Sequence, residues 1–283
     1  MQRIPIMNRT LCALILWLFL AGPVMAEPPS RIISLAPNVT EVLYDLGLGE
    51  RVIAVSRYCN YPPAVGVKPK VGGMSNPSLE TIVAMKPDMV VLTDNGNPRQ
   101  IEWKLRSLGI RTHIFRARRL NDLPREIRVL GAALDVRSRA DRSAGRIEDA
   151  IRRYAVKEPL FFGRPPRKIL FVVQPEPLLV AGPGTAIDDV LGLLGLQNVA
   201  AHAGTAYPRL SLEEIIRQSP DIILIGKSHE GGIAQSERFL KKLGQVEAIR
   251  RGYVYTVGDP LFRLGPRITD GIAEIAGIIK RAE

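Results

Sequence analysis

The chain has three histidines, His113, His202 and His229. A zinc-uptake or metal-hydrolase site needs several imidazoles and carboxylates that converge, and three scattered histidines do not supply them. His113 falls within a run that reads as a strand, where packing is the simpler role. No G-x-S-x-G, H-E-x-x-H or P-loop pattern occurs, and no G-x-G-x-x-G follows a strand. The glycines of AGPGTA (181–186) match no phosphate-binding spacing and read as a turn. We therefore assign no catalytic residue and no metal ligand from the sequence, and expect no enzyme.

What the sequence does offer is a doubled phrase. Residues 78–92 read SLETIVAMKPDMVVL and residues 211–225 read SLEEIIRQSPDIILI, identical at six of fifteen positions. Each copy predicts a short helix opened by serine and stopped by proline, then an apolar strand whose unbroken run suits a sheet covered on both faces. Glu80 and Glu213 occupy the same place in the two copies, in the first helical turn, where the helix dipole favours a carboxylate. One such glutamate would need no role beyond its own helix. Two at equivalent positions suit a two-fold partner.

The elements around these phrases repeat as well. RIISLAP (31–37) predicts a strand ending at Pro37, and the following segment a helix with Asn38 as N-cap, Val39, Val42, Leu43 and Leu46 on one face, and Gly47 as its stop. A strand at 52–56, a helix near 98–109 and a strand at 111–115 complete one unit. The order returns with KILFVV (168–173), AGPGTAIDDVLGLLGL (181–196) and VYTVGD (254–259), before a closing helix. Between the units, Leu123, Ile127, Leu130, Leu134, Ala140, Ile147, Ile151 and Tyr154 recur in threes and fours, predicting one long helix or two closely abutting ones from about Leu123 to Val156. The expected fold class is α/β: two similar three-layer lobes, 27–120 and 167–283, joined by a spine helix and connector over 121–166. A ligand cleft between the lobes follows, because sites favour domain interfaces and the carboxyl ends of parallel strands.

Residues 1–26 are set apart from this organisation. Arg3 and Arg9 precede the apolar run LCALILWLFLAG, and Val24-Met25-Ala26 offers a small-residue exit, the pattern of a cleaved secretory signal. The run is short for a membrane span, and Cys12 lies too early in it to be a lipidation site. Cys59 would then be the one cysteine left, unable to form an internal disulfide, and reads as a small packed residue. The formal charge of +11 falls to about +9 when the two signal arginines are lost. Nucleic acid is not the expected partner of an exported protein, and the basic stretches at 116–119 and 137–153 read as solvated faces.

VSRYCNYPP (55–63), VGG (71–73), NPSLETIVAMKPDMVVL, GNPRQ and SLEEIIRQSPDIILI, with the spine, resemble the helical-backbone periplasmic substrate-binding proteins of ABC importers, and among them the cobalamin-binding branch. The resemblance covers the whole chain after the signal. It implies a monomeric periplasmic protein that captures a metal chelate between its lobes and delivers it to a permease dimer in the inner membrane. It also implies that Glu80 and Glu213 dock to permease arginines. Tyr58 matches a cleft tyrosine of the family, and Asp259 with Arg263 a polar rim loop. Where the cobalamin binders have tryptophans, this chain has Met74, Thr93 and Tyr207, which narrows the apolar platform for a corrin ring. Cobalamin or a related corrinoid is the first expectation. Heme or a ferric siderophore, met by Arg263 and Arg57, is the alternative, and an exported sensory module or enzyme built on the same fold is a third. Whether His202 or Cys59 contacts the ligand stays open.

Overall fold

The computed structural model describes residues 27–155, 166–227 and 232–282. The expected signal segment, most of the expected inter-lobe loop and His229 lie outside the described residues.

The first lobe is a four-stranded parallel sheet in the order β2-β1-β3-β4, formed by β1 (Ile32–Ser34), β2 (Val52–Val55), β3 (Met89–Thr93) and β4 (Arg111–Phe115). Its helices are α1 (Pro37–Asp45), α2 (Leu79–Ala84) and α3 (Arg99–Ser107). The expected N-cap of α1 is corrected: the cap is Ala36, and Pro37 takes the first helical position. Proline is favoured there because its fixed φ suits a helix and its missing N–H would have had no partner. Asn38 therefore lies within the first turn.

The second lobe repeats the order. β7 (Gln197–Asn198), β5 (Lys168–Pro175), β8 (Ile222–Gly226) and β9 (Val254–Val257) run parallel, and β6 (Leu178–Val180) adds an antiparallel pairing to the far end of β5. Its helices are α6 (Ala186–Leu193), α7 (Leu212–Gln218), α8 (Gly232–Lys242), α9 (Glu247–Arg250) and α10 (Ile268–Arg281). Side-chain alternation divides each sheet between two cores. Ile33, Val90 and Leu92 enter one apolar cluster, and Leu170, Ile223 and Ile225 another, whereas Ile32, Val91, Phe171 and Leu224 share a third that runs through both lobes.

The doubled phrase has one geometry in both places. Ser78 and Ser211 each cap their helix, accepting from the amides of Thr81 and Glu214 at 3.2 and 3.1 Å. Each copy then passes through the left-handed region just before its proline, at Lys86 (φ 46°) and Ser219 (φ 48°). The shared aspartates pin the neighbouring strand: Asp88 Oδ2 accepts from the Arg31 amide at 2.8 Å and Asp221 Oδ2 from the Lys168 amide at 2.7 Å.

The spine is two helices, α4 (Leu123–Ala133) and α5 (Arg137–Tyr154), which rules out the single long helix. Asp135 turns left-handed (φ 57°), and the Val136 amide returns to the Gly131 carbonyl at 2.8 Å, so the chain folds back. Glu148 then pairs with Arg128 across the two helices at 2.6 Å. α5 also grips the first lobe, where Arg146 and Ser143 bond to Asp45 at the end of α1, and it packs on α10 of the second.

Candidate functional site

A cleft of about 740 Å³ opens between the lobes, within the range usual for small-molecule sites. Its walls are the segments at the carboxyl ends of the strands. From the first lobe come Pro37 and Asn38 after β1, Thr93 and Asp94 at the end of β3, and Arg118 after β4. The second lobe supplies Val173 of β5, the start of α6, Lys227 after β8 and the loop Asp259–Leu264 after β9.

Of the six residues expected to contact a ligand, Met74, Thr93, Tyr207, Asp259 and Arg263 line this cleft. Met74, Thr93 and Tyr207, expected at the family's tryptophan positions, are thus brought together from two lobes. Tyr58 is not among the lining residues; it stands 55% exposed, with its ring near the backbone of Gly73. Tyr207 is half exposed, and the burial of the rest of it raises its phenol above the ordinary value, so it stays protonated at neutral pH. Phe262 closes the floor: its ring meets Phe171 edge-on at 5.5 Å and lies where any β-carbon on Gly226 would sit.

Asn97, within the GNPRQ run, sets the position of two of these residues. Its Oδ1 accepts from the Thr93 amide at 2.8 Å, and its Nδ2 donates to the carbonyls of Met74 (2.8 Å) and Leu35 (3.1 Å). One buried amide thus joins the ends of β1 and β3 to the Met74 loop.

The cleft's back wall is a buried charge cluster. Glu41 of α1, with a side chain 1% exposed, accepts from Arg263 Nη1 at 2.9 Å and from Arg267 at 2.6 and 3.0 Å. Asp259 lies 3.4 Å from Arg263. Burial opposes the charge of Arg267, but Glu41, Tyr61 and Asp259 outweigh it and raise its pKa. The Arg267 guanidinium also lies 3.8 Å above the Tyr61 ring. Arg263, expected at the ligand, thus gives Nη1 to a contact between the lobes and Nη2 to Asp259 of its own loop while still lining the cleft. On another side Arg119 forms a bidentate pair with Asp189 of α6, and the Leu120 amide donates to the same carboxylate at 2.8 Å.

Glu80 and Glu213 are both exposed in the first turns of α2 and α7. The backbone amide of Glu213 itself and the Ser211 hydroxyl hold its carboxyl below the ordinary value. Arg57 and His202 are exposed and line no part of the cleft. Cys59 is buried, its Sγ within 3.1 Å of the hydroxyls of Thr40 and Ser56, a packed thiol as expected. His113 is half-buried, and its Nε2 is buried with no partner among the described residues. Among the described residues no group of three or more His, Cys, Asp and Glu is placed to hold a metal ion.

Sequence reading did not single out Glu41, Arg267, Asn97 or Lys227. Asn97 was visible only as part of a motif. Glu41 carried no local signal, because it lies on the face of α1 opposite Val39, Val42, Leu43 and Leu46, and its partners are more than 200 residues away.

Two α/β lobes on a helical spine, with one cleft fed by loops from both, make this a bilobed ligand-binding protein. Residues 32–261 match the model of the periplasmic binding protein family, and the chain belongs to that family. It is 27% identical over 274 residues to a vitamin B12-binding protein of Vibrio cholerae, covering 94% of this chain and 96% of that one. The crystal structure of the periplasmic vitamin B12 binding protein BtuF of Vibrio cholerae superposes with a TM-score of 0.75 at 26% identity, covering 90% of this chain and 98% of the other. The periplasmic heme-binding protein RhuT from Roseiflexus sp. RS-1 superposes with a TM-score of 0.79 at 26% identity, covering 89% and 98%.

Proposed function

We propose that this protein is the substrate-binding component of an ABC importer, exported to the periplasm after loss of residues 1–26, and that it captures cobalamin or a related corrinoid in the inter-lobe cleft. The observation that carries this reading is the convergence in one cleft of Met74, Thr93 and Tyr207, the residues that the resemblance puts at the tryptophan positions of the cobalamin-binding branch. Met74, Val173 and Phe262 offer apolar surface to a macrocycle, while Asn38, Thr93 and Asp259 offer polar groups to its amide rim. The similarity to vitamin B12-binding proteins over nearly the whole chain supports the same ligand class. The protein performs no chemistry on its cargo. It acts as a monomer and hands the chelate to a permease dimer, with Glu80 and Glu213 meeting arginines of the two permease halves.

Heme is the second reading, supported by the superposition on a heme-binding protein and by the smaller aromatic platform. Calorimetric titration of the purified mature chain with cobalamin, cobinamide, heme and ferric siderophores separates the two. Saturable binding of the corrinoids in preference to heme is expected; preference for heme or a siderophore would overturn the corrinoid assignment.

A further inference from the structure

Among the described residues, charge in the cleft nearly cancels, and one group is left over. Asp94 is matched by Arg118, whose Nε and Nη2 lie 3.0 and 2.8 Å from its Oδ2. Glu41 and Asp259 together face Arg263 and Arg267, two acids against two guanidinium groups. Lys227 remains. It lines the cleft and is exposed, and no ion pair joins it to another described residue. Its backbone is not loose, because its amide donates to the Val257 carbonyl at 2.9 Å and so extends the pairing of β8 with β9. Among the described residues, the sheet thus presents a single unpaired ammonium to whatever enters.

We propose that Lys227 is a specificity-determining residue that receives an anionic substituent on the rim of the bound metal chelate. This rests on the reading of the cleft as a chelate site and adds a charge requirement to it. The shared chemistry is an oxyanion on a macrocycle, either the phosphodiester of a corrinoid's nucleotide loop or the carboxylates of a porphyrin. A lysine suits this task because its ammonium is a point charge with three donors on a flexible stem, able to meet an oxyanion without a fixed approach. A neutral chelate gains nothing from it. An anionic one gains a charge-assisted hydrogen bond.

The test uses the mature protein and two variants. Lys227→Met keeps the length of the stem and removes the charge, whereas Lys227→Arg keeps the charge. Each is titrated with cobalamin, with cobinamide, which has the corrin ring but no phosphodiester, and with heme. Lys227→Met should weaken whichever anion-bearing chelate the wild type binds by about tenfold or more. Cobinamide should stay within about twofold of its wild-type affinity, and Lys227→Arg should recover most of the loss. Loss on the cobalamin arm identifies the phosphodiester, and loss on the heme arm the carboxylates. Unchanged affinity of Lys227→Met for the anion-bearing chelates, or equal weakening for cobinamide, would overturn the assignment while leaving the chelate reading intact. A wild-type protein that binds none of the three would overturn both.

Discussion

Glu41 and Arg263 are 222 positions apart in the chain and 2.9 Å apart in space, joined across the boundary of the two lobes. Arg267 shares the same carboxylate, so one buried acid holds two guanidinium groups of the opposite lobe. With Arg119 and Asp189 bridging elsewhere, and an apolar cluster that continues through both lobes, the lobes resist large relative motion. Glu41→Gln leaves two largely buried arginines with Asp259 as their remaining counter-charge and should destabilise the fold by about 3 kcal/mol, read as a shift in the urea midpoint. In the wild type, small-angle scattering should show almost the same radius of gyration with and without ligand; a large drop on binding would contradict the braced geometry.

Asn97 serves the cleft by holding Met74 and Thr93 in register. Asn97→Ala strands one amide and two carbonyls and should cost about 2 kcal/mol of stability. Ligand affinity should fall as well, under conditions where the variant is fully folded by circular dichroism. Loss of stability with unchanged affinity would reduce Asn97 to a structural role.

His113 should make the fold sensitive to mild acid. Burial, helped by Arg116 and opposed by Glu126, lowers its pKa below the ordinary 6.5. Between that value and the lower folded one, the unfolded chain binds more protons than the native state, so stability falls as pH falls. His113→Phe removes both this dependence and the unpartnered Nε2. Thermal midpoints measured from pH 7.5 down to 5 should therefore fall less in the variant than in the wild type; parallel curves would show that His113 contributes nothing.

The docking role proposed for Glu80 and Glu213 bears on transport rather than capture. Because the folded environment depresses the Glu213 carboxyl, it stays charged through mildly acidic pH and loses its charge only as pH falls through that depressed value. Alanine at both positions should abolish chelate uptake by cells while the purified protein binds its ligand as before. Uptake that persists would remove the docking role.

How legible all this was depended on how local its cause is. The strands β3 and β8 announce themselves as unbroken apolar runs, and the serine caps and prolines of the doubled phrase fix short helices by nearest-neighbour chemistry. The repeated aspartate was visible too, yet its task was not, because Asp88 and Asp221 act on strands that begin more than 50 residues earlier. The fold-back at Asp135 was compatible with the apolar periodicity on either side of it. What decides it is the packing of α4 on α5, including the pairing of Arg128 with Glu148. The cleft residues Met74, Thr93 and Tyr207 came from resemblance, and no spacing rule would have joined them. Glu41 shows the limit most plainly, since a buried glutamate is intelligible only beside the arginines that neutralise it.

The most direct measurement is a cobalamin titration of the mature wild type beside a Met74→Ala/Tyr207→Ala double variant, both followed by calorimetry. If the inter-lobe cleft is the corrinoid site, the wild type binds one equivalent saturably and the double variant binds at least about tenfold more weakly, because two apolar contacts from opposite lobes are lost. No binding by the wild type, or equal affinity in the double variant, would contradict that claim.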